Sequence, residues 1–183
     1  MQSWRCTMLN GRQQKLLNAL ISASFLIPAV ILAVKFPLSP MHALLWFLTG
    51  LVWANGFEYI YHRWGDHTPG TRLERLHRVH HAKPSDEKHI NLGSGGLATF
   101  LMFVVNGGPV VAADLWMHNG FSAPLLFAFV LYVVAIEEVH WRAHVGGWLP
   151  ASLKAYHLDH HKHPMGRYNI CFPLFDLLFG TAK

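Results

Sequence analysis

Four apolar stretches run along the chain, and the segments between them are polar and crowded with histidine. A crossing helix needs about 20 mostly apolar residues to span roughly 30 Å of hydrocarbon. The first stretch, "LLNALISASFLIPAVILAV" at 16–34, carries Pro28, which predicts a kink. The second, 41–61, is rich in Trp and ends on Tyr59 and Tyr61. The third, 97–117, is interrupted by Asn106-Gly-Gly-Pro109 and reads as either a full crossing or a re-entrant hairpin. The fourth is 121–139, "FSAPLLFAFVLYVVAIEEV". The pattern predicts an all-α integral membrane protein with about four transmembrane helices. A short cytoplasmic segment, 1–15, precedes a single membrane domain, 16–183. The first run is long for a signal peptide and no clear cleavage site follows it.

Composition agrees: 52% of residues are hydrophobic and only 14% charged, outside the range of ordinary soluble domains. The net charge of +5 would by itself raise nucleic acid as a partner, but its distribution says otherwise. With four crossings, fourteen of the fifteen Lys and Arg fall on one side and only Lys35 on the other. Such asymmetry places both termini and the polar segments in the cytoplasm. The basic residues therefore report topology and contact with anionic headgroups, and no nucleic acid is expected. Cys6 and Cys171 show no metal-binding spacing and are expected to be idle thiols.

Fourteen histidines are far more than packing requires, and ten of them form four clusters. They are His62 and His67 in "HRWGDH", His77, His80 and His81 in "HRVHH", His140 and His144 in "HWRAH", and His157, His160 and His161 in "HLDHH". On a helix, i, i+3 and i+4 share a face, so each trio is expected to converge on one point. The five-residue spacing of His62 and His67 would splay on a regular helix, and Gly65 is expected to end the helix there and turn the chain. All four clusters follow span exits on the same side, so they can meet in one plane at the membrane surface. Ten neutral imidazoles packed together leave many polar atoms in need of partners, and metal ions supply them. Ten ligands exceed one ion and overshoot a closed four-ligand zinc site, so two metals with an open position each are expected. Imidazole suits iron, zinc, copper and nickel alike. Glu58, Glu137 and Asp159 are candidate partners for the second N–H of the ligating rings. His42, His89, His118 and His163 are read as ordinary caps or surface groups.

These boxes, with "HRVHHAKPSD" and the tail "FPLFDLLFGT", resemble the fatty acid hydroxylase superfamily of membrane di-iron enzymes from about Ala43 to Thr181. The order of spacings is most similar to the fatty acid 2-hydroxylase branch. The loop "EKHINLGSGG" after the second box departs from that branch's usual arginine and paired prolines. The resemblance implies two iron ions, with zinc possible in the same site, and O2-dependent hydroxylation of a lipid acyl chain at carbon 2. It also implies a membrane lipid substrate and a separate electron donor of the cytochrome b5 or ferredoxin type. Alternatives are a sterol or carotenoid hydroxylase or desaturase of the same superfamily, a two-zinc membrane hydrolase, or a metal-binding protein.

Overall fold

The computed structural model describes residues 9–90 and 95–183; Arg5, Cys6 and most of the 1–15 segment lie outside them. The described residues form eight α-helices and one π-helical turn, with no strand. In chain order they are α1 (Gly11–Ser24), α2 (Leu26–Lys35), α3 (Pro40–Ile60), the π turn (Tyr61–Asp66), α4 (Arg72–Ala82), α5 (Gly96–Met117), α6 (Ser122–Val145), α7 (Ala151–Lys162) and α8 (Leu174–Leu178).

The first apolar run starts earlier than its hydrophobicity implies, because Asn10 and Gln13 form a reciprocal capping box that begins α1 at Gly11. The run breaks at Phe25, between α1 and α2. Pro28 has no N–H to give to the carbonyl four residues back, which gives the kink expected there. The third run is an unbroken 22-residue helix through Pro109, with no hairpin. Its Asn106 side chain bonds back to the Met102 carbonyl at 2.8 Å. Three helices, Gly11–Lys35, Gly96–Met117 and Ser122–Val145, are long and apolar enough to cross a membrane. The 21-residue α3 matches them in length but carries Asn55 and Glu58 near its end, which lowers its apolarity.

Helix α6 is the central post, and α3 packs along it. A Cβ at Gly50 would come within 2.8 Å of Ala128 Cβ and 2.9 Å of the Leu125 carbonyl oxygen. Close backbone approach through small residues is how helices associate where lipid removes the hydrophobic drive. Phe129, fully buried, joins the layers, with its ring 4.6 Å from Trp53, 5.4 Å from Phe103 and 5.6 Å from Phe57. At one end of the bundle the turns after α2 and α5 meet, and Gly120 (φ +76°) sits so close to the Phe36 carbonyl that no side chain fits. Buried Asp114 caps that end by accepting from the backbone N–H groups of Gly120 (2.6 Å) and Ser122 (3.0 Å). The histidine boxes gather at the opposite end. There Lys15 pairs with Glu138, and Asn18 donates to Glu137 at 2.7 Å, tying α1 to α6.

Candidate metal centre

Each box reaches the centre by a different local device. In the first, the helix does not stop at Gly65 as the spacing implied. It widens into the π turn, whose i→i+5 repeat brings residues five apart onto one face. The His62 and His67 rings lie 5.2 Å apart as a result. Helix α6 continues beyond the apolar run read at 121–139 and carries His140 and His144 on its final turns. Helices α4 and α7 supply the two trios.

The ten predicted histidines come together, but in a different partition from one point per trio. One group is His62, His67, His77 and His160; the other is His80, His140, His144, His157 and His161. Both trios are therefore split. Residues i, i+3 and i+4 are spread over roughly 100° of the helix circumference and rise about 6 Å along its axis, enough to serve two centres. His81 sits between the groups, with Nε2 2.9 Å from His77 Nε2 and its ring stacked 4.2 Å from that of His161. His42, His89, His118 and His163 belong to neither group.

The donor set suits metal ions. His77 Nε2 lies 3.2 Å from His62 Nε2, 3.2 Å from His67 Nε2 and 2.9 Å from His81 Nε2. A neutral imidazole has at most one N–H, so three such contacts to one nitrogen cannot all be hydrogen bonds. In the other group His157 Nε2 lies 2.7 Å from His144 Nε2 and 3.2 Å from His161 Nε2. Nitrogens bound to one ion at about 2.0–2.1 Å are separated by about 3 Å. His160 completes the case: its Nδ1 faces the Gly166 carbonyl at 2.6 Å, while its buried Nε2 has no partner. Burial first, and repulsion from neighbouring rings second, keep the cluster uncharged. His62, His77 and His157 are pushed well below the usual imidazole range, and His80 is held at about 3. Burial likewise holds His160 at about 3, partly offset by its bond to Gly166. Neutral rings are the form that binds metal.

The three candidate carboxylates act at different distances. Asp159 pairs with Arg167 and makes no bond to a ring. Glu137 faces the same cleft as His140 and accepts from buried Asn18. Glu58 accepts from Tyr132 Oη (2.7 Å), Asn169 Nδ2 (2.8 Å) and the Ile170 N–H (2.8 Å). It thus holds the loop after α7 rather than a histidine. That loop was not singled out from sequence, yet two of its carbonyls face the rings: Gly166 on His160, and Tyr168 on His62 Nδ1 at 2.5 Å. Asp176 of the tail, fully buried, fixes the same loop by accepting from the N–H groups of Tyr168 (3.0 Å) and Asn169 (2.7 Å). Asp66, inside the first box, is pushed up to about 8 by burial and places Oδ2 4.0 Å from His77 Nδ1.

A narrow cleft begins at these rings. His62, His77 and His140 line it, so it reaches both groups. Away from them it is lined by Phe57, Met102, Val133, Ile136 and Ile170, between α3, α5 and α6. The cleft is thus mostly apolar away from the histidines.

No curated protein matches the chain in sequence. Its structure aligns with the hydroxylase domain visible in full-length Scs7p at a TM-score of 0.67 and 22% identity, over 90% of this chain. The chain spans 66% of that one's length, and at this identity the likeness is one of fold. The fatty acid hydroxylase family model matches residues 47–181, from the middle of α3 through the boxes to the tail. The chain belongs to the fatty acid hydroxylase family.

Proposed function

We propose that the protein is an O2-dependent di-iron lipid oxygenase that hydroxylates a fatty acyl chain, with carbon 2 as the favoured position. The observation that carries this reading is that one mostly apolar cleft is lined by histidines of both groups, His62 and His77 of the one and His140 of the other. His62, His67, His77 and His160, with His81 beside them, would hold one ion; His80, His140, His144, His157 and His161 would hold the other. Iron fits this donor set, and zinc fits it too. Bound there, the iron pair supplies O2 activation: one oxygen atom enters a C–H bond and the other leaves as water, with two electrons and two protons consumed.

The chain's own residues do the rest. Phe57, Met102, Val133, Ile136 and Ile170 hold the acyl chain and exclude water from the reacting carbon. The cleft lies between α3, α5 and α6, and on this reading a lipid enters it sideways from the bilayer. Its carboxyl or amide end then stays near the headgroup plane, beside the histidines, which favours attack close to that end. The electrons come from a separate protein of the cytochrome b5 or ferredoxin type. Both termini and the boxes face the cytoplasm on this reading, because the basic residues flank the histidine end.

The test is a turnover assay on protein purified from iron-replete cells, supplied with a reduced donor, O2 and a membrane lipid extract. Mass spectrometry should show a 2-hydroxyacyl product, absent in His80→Ala. A hydroxylated sterol or carotenoid would move the substrate assignment within the family. Two zincs and no oxidation after iron reconstitution with a working donor would replace the oxygenase by a hydrolase or metal-binding role.

A further inference from the structure

The two histidine groups differ in what stands behind them. In the group of four, His62 Nδ1 and His160 Nδ1 face carbonyls of one short loop, those of Tyr168 (2.5 Å) and Gly166 (2.6 Å). In the group of five, Nδ1 of His80, His140, His157 and His161 is buried without such a partner among the described residues. A ring whose Nδ1–H is held by an acceptor is fixed in tautomer and rotation, with Nε2 left as the ligand.

The loop itself is set by two buried carboxylates from distant parts of the chain. Asp176 Oδ1 accepts from the Tyr168 N–H and from Thr181 Oγ1 (2.7 Å), and its Oδ2 accepts from the Asn169 N–H and from Tyr156 Oη (3.0 Å). Glu58 accepts from the next N–H along, that of Ile170, and from the Asn169 side chain. Three consecutive backbone N–H groups, 168 to 170, are thereby claimed from one side. The flanking carbonyls of Gly166 and Tyr168 are turned to the other side, onto the rings. Gly166 is required for this path, because a Cβ there would stand 2.7 Å from the Thr181 carbonyl oxygen.

We infer that Asp176 is a positioning residue for one metal position only. Through the 166–170 loop it orients His62 and His160, so the C-terminal tail sets metal retention at the group of four and leaves the group of five unaffected. This rests on the reading that both groups hold metal. An Asp176→Asn side chain keeps the shape but turns an NH2 toward a backbone N–H or a hydroxyl, which displaces the loop.

The experiment measures metal release, not turnover. Protein in detergent is loaded with iron, challenged with a chelator, and its remaining metal followed over time by elemental analysis. The measurement is made in two backgrounds, His144→Ala, which leaves the group of four intact, and His62→Ala, which leaves the group of five. Asp176→Asn should speed release roughly 10- to 100-fold in the His144→Ala background and leave the rate unchanged in His62→Ala. Equal acceleration in both backgrounds would mean a general structural role and overturn the inference, as would no change in either. If Asp176→Asn does not fold, Thr181→Val removes one of its partners and should give a smaller shift with the same selectivity, and a non-selective shift again overturns it. Absence of bound metal from the parent protein would instead refute the metal reading itself.

Discussion

Glu58→Ala tests whether the loop behind the histidines hangs on a buried carboxylate. Glu58 is 6% exposed and accepts from Tyr132 Oη, Asn169 Nδ2 and the Ile170 N–H, all at 2.7–2.8 Å. Truncation leaves the Tyr132 hydroxyl and the Ile170 N–H without an acceptor, while the Asn169 amide keeps its bond to the Asn55 carbonyl at 3.0 Å. Each such loss costs about 1–3 kcal/mol, so the variant should lose at least about 2 kcal/mol. Tyr132→Phe provides the contrast, because it removes one donor to Glu58 and strands no buried N–H of the loop. That change should cost about 0.5–1.5 kcal/mol, near the low end given that hydrogen bonds between membrane helices average about 0.6 kcal/mol. Reversible unfolding in detergent micelles, followed by circular dichroism against denaturant, would rank the two. Equal losses for both variants, or a loss below about 1 kcal/mol for Glu58→Ala, would refute the view that Glu58 holds the loop.

Other regions give independent outcomes. Gly50→Val should lower stability by about 1–3 kcal/mol through overpacking of α3 on α6, read from the thermal midpoint in detergent. Ala98→Phe, which narrows the cleft beside α5, should cut lipid turnover by roughly tenfold or more while the metal content is unchanged. Metal-free protein should lose stability on acidification. His80 and His160 have folded pKa values of about 3, below the unfolded value of 6.5, so the unfolded chain takes up protons that the fold refuses. Their contribution is full above pH 6.5 and is lost as pH falls from there toward 3. At pH 5.5 the loss is about 1.4 kcal/mol per residue. A flat unfolding profile between pH 7.5 and 5 in chelator-treated protein would contradict it.

What the sequence disclosed, and what it hid, divides along physical lines. Apolar runs are local signals, so α1–α2, α5 and α6 could be placed from composition, and Pro28 announced its kink. The ten histidines were legible because no packing requirement explains their number or spacing. Their partition was not. Which of His77 and His80 serves which centre depends on how α4 and α7 are rotated against each other, a tertiary property. The His62–His67 spacing carried a real signal, since five residues is the π repeat, but π turns are too rare for spacing alone to favour one over a helix end. The 166–170 loop was hidden for another reason: it meets the rings through the Gly166 and Tyr168 carbonyls and is held by its own N–H groups, and backbone contacts leave no residue-type signature. The tail "FDLLFGT" marked a resemblance, and only the fold shows that its Asp176 and Thr181 hold the loop behind His62 and His160.

The central claim is that these histidines form two metal positions, and metal stoichiometry tests it most directly. Protein purified from iron-replete cells, analysed for iron and zinc per chain alongside His62→Ala and His144→Ala, should carry two ions in the parent and one in each variant. A parent with no tightly bound metal, or with a single ion indifferent to one of the two substitutions, would contradict it.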